Sequence, residues 1–362
     1  MSSTLREELV ERISSQRKIT FREWMRTALY HSRWGYYNRS DRKRWGRRGD
    51  YRTSPERSEL FAITFARYFA TLYDLQGRPA VFRIVELGAG NGQFAIRVLE
   101  TLEQRFPTFF NAVQYTIVEA REDTTDLVEA LRRFSTHVDL NSLATLQPIE
   151  AGIVFSNELL DSFPVHIVRK VNGQLREIYV SLNDDGEFVW TTDELSSLEL
   201  GQFCNDHLPS LLEGQTVEVN LEIRDLFQSL NTHLISGYLV TVDYGADAAD
   251  LYTDPHRYNG TLRAFRDHAF VDDVLKSPGE QDITSTIDWS YVRSEGKQNG
   301  FETDRFEPLD KFLMSIGILD ELETRLSAAA SEAERSQLTT ATREMILPGG
   351  MASSFQVLVQ KR

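Results

Sequence analysis

Cysteine is almost missing from this chain: Cys204 is the only one in 362 residues. No internal disulfide can form, so stability must come from an apolar core, and a reducing compartment suits the composition. The seven histidines are scattered without the spacing of zinc ligands, and no metal site is expected. No apolar run approaches the ~20 residues needed to span a membrane as a helix. The first residues, Met1-Ser2-Ser3-Thr4-Leu5-Arg6-Glu7-Glu8-Leu9-Val10-Glu11, are acidic and lack the apolar stretch of a signal peptide. These absences together lead to the expectation of a soluble, cytoplasmic protein. Positive charge is short as well. A net charge of −14 argues against nucleic acid as a bulk partner, because phosphate binding needs a positive field. Internal repeats and low-complexity tracts are absent too.

What is present is ordinary globular material, 41% hydrophobic and 26% charged, with enough length for one large decorated domain or two. The charge is uneven. Residues 1–57 hold fifteen Lys/Arg against seven Asp/Glu, about +8, leaving about −22 for the rest. Six of those basic residues crowd into 39–48, a segment that reads either as a docking patch for an acidic partner or as a solvated loop. Trp34, Tyr36, Tyr37 and Trp45 lie among them, but the footprint is short for RNA.

The chain begins helical over 1–75. Thr20 and Glu23 form a capping box, and Ser54 is expected to cap an amphipathic helix over 60–75. A strand over 81–85 then runs into Val85-Glu86-Leu87-Gly88-Ala89-Gly90-Asn91-Gly92-Gln93-Phe94 and a helix over 93–105. Glycines serve where the backbone turns with positive φ or must lie close to a ligand. Gly88, Gly90 and Gly92 stand at two-residue spacing, with Glu86 two before the first. A dinucleotide fingerprint would place its third glycine one position later. The spacing with its preceding acid is the pattern of S-adenosylmethionine (SAM) methyltransferases. A second strand over 114–118 ends at Glu119, where such folds hold ribose hydroxyls, and an ionised carboxylate can accept two hydrogen bonds there. A loop over 106–112 is expected between that strand and the preceding helix.

The third core strand is read over 151–158, and the strand–helix alternation argues for a parallel sheet with helices on both faces. After Pro164 the pattern becomes alternating strands separated by Asn172-Gly173 and Asp184-Asp185-Gly186, both turn signals. This reads as an antiparallel β insertion, over 165–215 in its widest extent, lying over the cofactor edge as part of a substrate cap. A helix over 222–234 and a strand over 238–245 resume the core. An irregular, substrate-side excursion covers 246–300, and helices over 309–316 and 319–333 precede a last strand over 355–359. The division expected is an N-terminal helical and basic-loop segment, 1–78, and a catalytic core, 79–362.

Four segments resemble the MidA family of SAM-dependent methyltransferases: Gly49-Asp50-Tyr51-Arg52-Thr53-Ser54-Pro55-Glu56, Glu86-Leu87-Gly88-Ala89-Gly90-Asn91-Gly92, Ser156-Asn157-Glu158-Leu159-Leu160-Asp161-Ser162-Phe163-Pro164-Val165, and Gly260-Thr261-Leu262-Arg263-Ala264-Phe265. Further similarity runs through Tyr30-His31 to Tyr37, Asp243-Tyr244-Gly245, Asp282-Ile283-Thr284 and the closing strand, covering nearly the whole chain in order. The resemblance implies a class I methyltransferase fold: Rossmann-like α/β with a mostly parallel seven-stranded sheet. It also implies SAM as methyl donor and a protein substrate, with symmetric dimethylation of an arginine in a respiratory complex I subunit. The basic 42–48 loop is heavier than the family pattern, which leaves the substrate open.

Methyl transfer from a sulfonium is an in-line displacement that needs positioning and exclusion of water. Glu86 is expected to orient the methionine end of the donor, with Gly88, Gly90 and Gly92 against it and Glu119 on the ribose. Asn157 and Glu158 stand at a strand end, where an open α/β sheet places reacting groups. An arginine acceptor is protonated near neutrality, since its pKa exceeds ~12. Carboxylates must then hold it: Glu158 as primary clamp and Asp161, three residues on and expected on the same face of a helical turn, as helper. Asp161 reads equally as a cap of that turn. Thr53 and Glu56 either contribute to the cofactor site or only cap a helix, and Asp243, Tyr244, Arg263 and Asp282 are substrate contacts or loop anchors. Two rival readings stand beside this one. One is a small-molecule O- or N-methyltransferase with Glu158 or His166 as base. The other is a SAM-binding assembly factor that acts by docking. Oligomeric state stays open.

Overall fold

The computed structural model describes residues 4–39, 59–209, 211–266, 269–347 and 351–362. The expected Ser54 cap and the basic 42–48 loop lie outside the described residues. The first helix, Leu5–Gln16, starts at a reciprocal Thr4–Glu7 capping box, and the second, Phe21–Tyr30, at the expected Thr20–Glu23 box. Each box satisfies two backbone N–H groups that a helix start leaves open.

Among the described residues the central sheet has eight strands. Seven lie side by side in the order Glu302–Pro308, Phe355–Lys361, Gly237–Ala246, Gly152–Asn157, Phe82–Leu87, Val113–Val118 and Val138–Asn141. Phe355–Lys361 runs antiparallel to both its neighbours, and the strands from Gly237–Ala246 to Val138–Asn141 pair in parallel. The eighth is the two-residue Ile287–Asp288, which extends the sheet along the end of Gly237–Ala246 and corrects the expected count of seven. Strand Val138–Asn141 was not foreseen, because its four residues carry too little apolar alternation to stand out. Gly152–Asn157 is therefore the fourth core strand along the chain, not the third. The expected 106–112 loop is also wrong in part: Pro107 opens a short helix, Pro107–Ala112, that buries Phe109 and Ala112.

Register brings the strand ends together. Leu87 pairs with Val118 and Ser156, and Asn157 pairs with Val242, so the chain leaves the neighbouring parallel strands along one edge. The strand order reverses between Phe82–Leu87 and Gly152–Asn157, the point where open α/β sheets bind ligands. Both faces are covered. On one, helix Glu59–Leu75 and helix Gln93–Arg105 pack Phe61, Phe65, Phe69 and Phe94 against Phe155; the rings of Phe94 and Phe155 are stacked at 4.4 Å. Each such buried side chain contributes on the order of 2 kcal/mol of transfer free energy. On the other, Val85, Leu87 and Val154 meet helices Leu198–His207, Glu222–His233 and Trp289–Gln298.

A separate antiparallel sheet joins Ile19–Thr20, His166–Val171, Gln174–Leu182, Phe188–Asp193 and Thr216–Val219. Its apolar face holds the N-terminal helices through Phe21 and Trp24 against Val165, Ile167, Ile178 and Val180. The strands His166–Val171, Gln174–Leu182 and Phe188–Asp193 were expected and Ile19–Thr20 and Thr216–Val219 were not; none of the five lines the cavity described below, so the sheet itself does not cover the cofactor edge. It acts as a platform that carries helix Phe21–Tyr30 to that edge, because its inward residues are consumed by packing.

Candidate active site

Three glycines make the turn after strand Phe82–Leu87, with φ of 71° at Gly88, 59° at Gly90 and 75° at Gly92. Side chains bearing a Cβ rarely adopt this region. A Cβ on Gly88 would come within 3.0 Å of Leu159 and one on Gly92 within 2.9 Å of Leu127. The expected helix Gln93–Arg105 follows directly. The Gly90 N–H donates to Glu119 Oε1 at 2.8 Å, tying the turn to the end of the neighbouring strand. Arg121 donates to the Gly90 carbonyl at 3.0 Å and pairs with Asp126.

Alternation along Phe82–Leu87 puts Glu86 on the face of Phe82 and Ile84, where it is nearly inaccessible and accepts the Tyr115 hydroxyl at 2.6 Å. Burial pushes its carboxyl up to about 8; the Tyr115 hydrogen bond lowers it and Glu119 raises it further.

Glu158 follows Asn157 with φ of 51°, a left-handed conformation that costs a residue with a side chain on the order of 1–2 kcal/mol. It is not on the helical turn; the single turn Leu160–Ser162 starts after it. The helical-spacing argument for Glu158 and Asp161 therefore fails, although both line the same cavity. The turn is held from beneath by Asp243, which is fully buried. Its Oδ2 accepts the backbone N–H groups of Leu159, Leu160 and Asp161 at 3.2, 2.9 and 3.4 Å. Asn157 Nδ2 donates to Glu158 Oε1 at 3.1 Å. Asp161 is 5% exposed and accepts the Tyr244 hydroxyl. Burial holds the carboxyls of Asp161 and Asp243 well above the usual carboxylate range, and Glu158 pushes in the same direction on both. Two buried oxygens, Asn157 Oδ1 and Asp161 Oδ1, have no hydrogen-bond partner among the described residues.

These elements enclose a cavity of about 710 Å³ at the strand ends, within the range of small-molecule sites. Gly88, Gly90, Glu86, Glu119, Asn157, Glu158 and Asp161 all line it; Gly92 lies just behind, at the helix start. Thr53 and Glu56 fall outside the described residues. Of the other walls, Tyr30 and Tyr37 from the N-terminal segment and Phe265 from the 246–300 excursion lie in the segments that carry the family resemblance but were given no role from the sequence, and Arg26 was not singled out. Asp282 and Thr284 also come from that excursion. Among the charged lining residues acids outnumber bases; of the basic ones, Arg121 pairs with Asp126 and Arg26 pairs with Glu222. His166 is not among the lining residues. It is buried beside Glu177, with Nδ1 2.7 Å from Oε1, so it is not placed as a base for this cavity.

Residues 64–307 match the model of a family described as "Putative S-adenosyl-L-methionine-dependent methyltransferase". The chain belongs to this family. A Burkholderia thailandensis protein solved with S-adenosyl-homocysteine bound has 27% identity and a TM-score of 0.87, over 99% of this chain and 92% of that one. The curated protein "Protein arginine methyltransferase NDUFAF7 homolog, mitochondrial" of Caenorhabditis elegans is 25% identical over 97% of this chain and 85% of its own length. Its human counterpart, "Protein arginine methyltransferase NDUFAF7, mitochondrial", is 26% identical over 96% and 81%. The protein is a methyltransferase, and SAM is its methyl donor. The cavity fits that group: a turn of three left-handed glycines at its wall, an acid at the next strand end, and buried oxygens of Asn157 and Asp161 without a partner among the described residues. The expectation of a cytoplasmic location is corrected, because the curated relatives are named mitochondrial. Composition registers the redox state of a compartment but not which compartment it is.

Proposed function

We propose that this methyltransferase acts on arginine side chains of a protein substrate, in the manner of the MidA family, with a respiratory complex subunit as the acceptor protein. The observation that carries the reading is chemical: the reacting edge of the cavity offers hydrogen-bond acceptors and negative charge, including the partnerless oxygens of Asn157 and Asp161. A guanidinium is the complement, a planar cation with five N–H donors and no acceptor. The names of the curated relatives agree with this assignment.

In this reading SAM supplies an electrophilic methyl group. Glu119 holds the ribose hydroxyls, Gly88, Gly90 and Gly92 let the main chain lie against the donor, and Glu86 and Asn157 orient its methionine end. Glu158 and Asp161 clamp the guanidinium and turn one nitrogen toward the methyl carbon. Transfer to a guanidinium nitrogen requires that nitrogen to shed a proton, which the Glu158 carboxylate at this edge would receive. The left-handed backbone at Glu158, fixed by Asp243 under the following turn, pre-sets the clamp so that little reorganisation is needed at the moment of transfer. Helix Phe21–Tyr30, carried by the antiparallel sheet, contributes to the substrate side of the cavity through Arg26 and Tyr30.

Labelled SAM incubated with the protein and an extract of its host should deposit label on arginine. Glu158→Gln should bind S-adenosyl-homocysteine like the parent while transfer drops on the order of 100-fold or more, since a neutral amide cannot balance a guanidinium. Label on another residue type or on a small molecule, or parental turnover in the variant, would overturn the assignment.

A further inference from the structure

One ring in the cavity wall stands outside the core. Among the described residues, Phe94, Phe155 and Tyr244 line the cavity and pack with one face of the central sheet, Phe163 packs with the other, and Tyr30 and Tyr37 pack with the N-terminal helices. Phe265 lines the cavity and belongs to none of these apolar clusters. Its strand, Arg263–Arg266, lies between Ala269–Phe270 and Asp282–Thr284. Alternation sends the fully buried Ala264 into the packing around the N-terminal helices and Phe265 to the opposite face. The strand is held from both ends. Glu218, on strand Thr216–Val219, accepts the Thr261 N–H and the Thr261 hydroxyl, both at 2.9 Å, and that hydroxyl accepts the Thr286 N–H at 3.0 Å. Beyond it, the Phe270 ring meets the Phe265 ring edge to face, 6.1 Å between centroids, an arrangement that covers at most one face of Phe265. Phe265 pairs in register with Asp282, and the Ser285 N–H, just past that strand, donates to the Asp161 carbonyl at 2.9 Å. The ring is thus tied to the turn that carries Asp161 rather than to the glycine turn.

We propose that Phe265 is a substrate-binding residue whose ring stacks on the acceptor guanidinium; the proposal rests on the arginine reading above. The argument is one of shape. A guanidinium carries its five N–H donors in one rigid plane, and carboxylates meet those edges. Its two faces have no donor to offer and are matched by the electron-rich face of an aromatic ring. Glu158 and Asp161 answer the edges, and Phe265, reaching the cavity from a strand anchored beside them, answers a face. Because the ring is not consumed by an apolar cluster, its role is carried by the ligand it meets and not by the stability of the core.

Calorimetry on the whole chain saturated with S-adenosyl-homocysteine tests this, with acetyl-Gly-Arg-Gly-amide as the probe. Phe265→Leu keeps an apolar side chain and removes the ring face, and should weaken the peptide about ten-fold, as expected for losing a desolvated cation–π contact. Phe265→Tyr, which keeps the ring, should bind the peptide like the parent. S-adenosyl-homocysteine affinity should stay unchanged in both, which also reports that they are folded, and in Phe265→Leu the KM for the peptide should rise more than kcat falls. Parental peptide affinity in Phe265→Leu, or an equal loss in Phe265→Tyr, overturns the stacking role while leaving the arginine reading intact. Loss of S-adenosyl-homocysteine instead of peptide reassigns the ring to the donor and overturns the proposal. A parent protein that binds no arginine peptide overturns both.

Discussion

Gly90 occupies a left-handed conformation between two other left-handed glycines, and its N–H is spent on Glu119. Replacement by valine puts a branched side chain where the backbone disfavours it and where, in the proposed reading, the donor lies against the chain. Gly90→Val is therefore expected to abolish S-adenosyl-homocysteine binding by calorimetry while costing only about 1–2 kcal/mol in a denaturation curve. Unchanged affinity would remove the glycine turn from the donor site. At this scale the sequence was most legible. Gly88, Gly90 and Gly92, with Glu86 and Glu119, were readable because their chemistry and spacing are local, two to four residues apart or one strand away. Tyr115 was not, although it holds Glu86, because nothing in the chain signals which tyrosine lands beside a buried acid.

The element that decides the geometry of the reacting edge is the single turn Leu160–Ser162. Its first N–H groups are met by a side chain from another strand, Asp243, in place of a local cap. Asp243→Ala would leave those donors buried and open, and should destabilise the fold by about 1–3 kcal/mol in denaturant melts. Transfer should slow as Glu158 and Asp161 lose their placement, with S-adenosyl-homocysteine affinity retained. A variant that melts and turns over like the parent would show that the strand ends alone hold the turn. Elements with strong periodicity or turn chemistry were readable: helix Gln93–Arg105, the antiparallel strands and the Thr20 cap. Strand Val138–Asn141 and helix Pro107–Ala112 were not, since four to six residues carry too few periods to register.

At the scale of the whole molecule, burial pushes several carboxyls above the usual carboxylate range, Glu86 up to about 8. A raised folded pKa means the native chain retains a proton that the unfolded chain releases above about 4.3. The stability this contributes is complete below that value and is lost as pH rises through the folded value near 8. The ligand-free protein should therefore melt at progressively lower temperature from about pH 5 to 8, and Glu86→Gln should show a smaller decline. An equal decline in both proteins, measured by differential scanning fluorimetry, would exclude Glu86 as its source. Asp161 and Asp243 push in the same direction. A cationic ligand favours the ionised carboxylates and should oppose the trend.

Local pattern was sufficient for the α/β alternation, the methyl donor and the first acids of the site, because a glycine turn, a strand end and a capping box are each written within a few residues. It misjudged the turn after Asn157, where helical spacing suggested a shared face and the chain adopts a left-handed step. Two further features depended on tertiary packing alone: which distant residues close the cavity, and which acids are pushed above the usual carboxylate range. Tyr30 reaches it because an antiparallel platform carries its helix there, Tyr37 because the turns after that helix bond back to Leu29, Asp282 because its strand passes beside Asp161, and the Glu86 carboxyl is pushed up because the packed sheet shuts out water, against the pull of the Tyr115 hydrogen bond. Proximity across hundreds of residues and the desolvation of a carboxyl are properties of the packed chain, and no short window of sequence contains them.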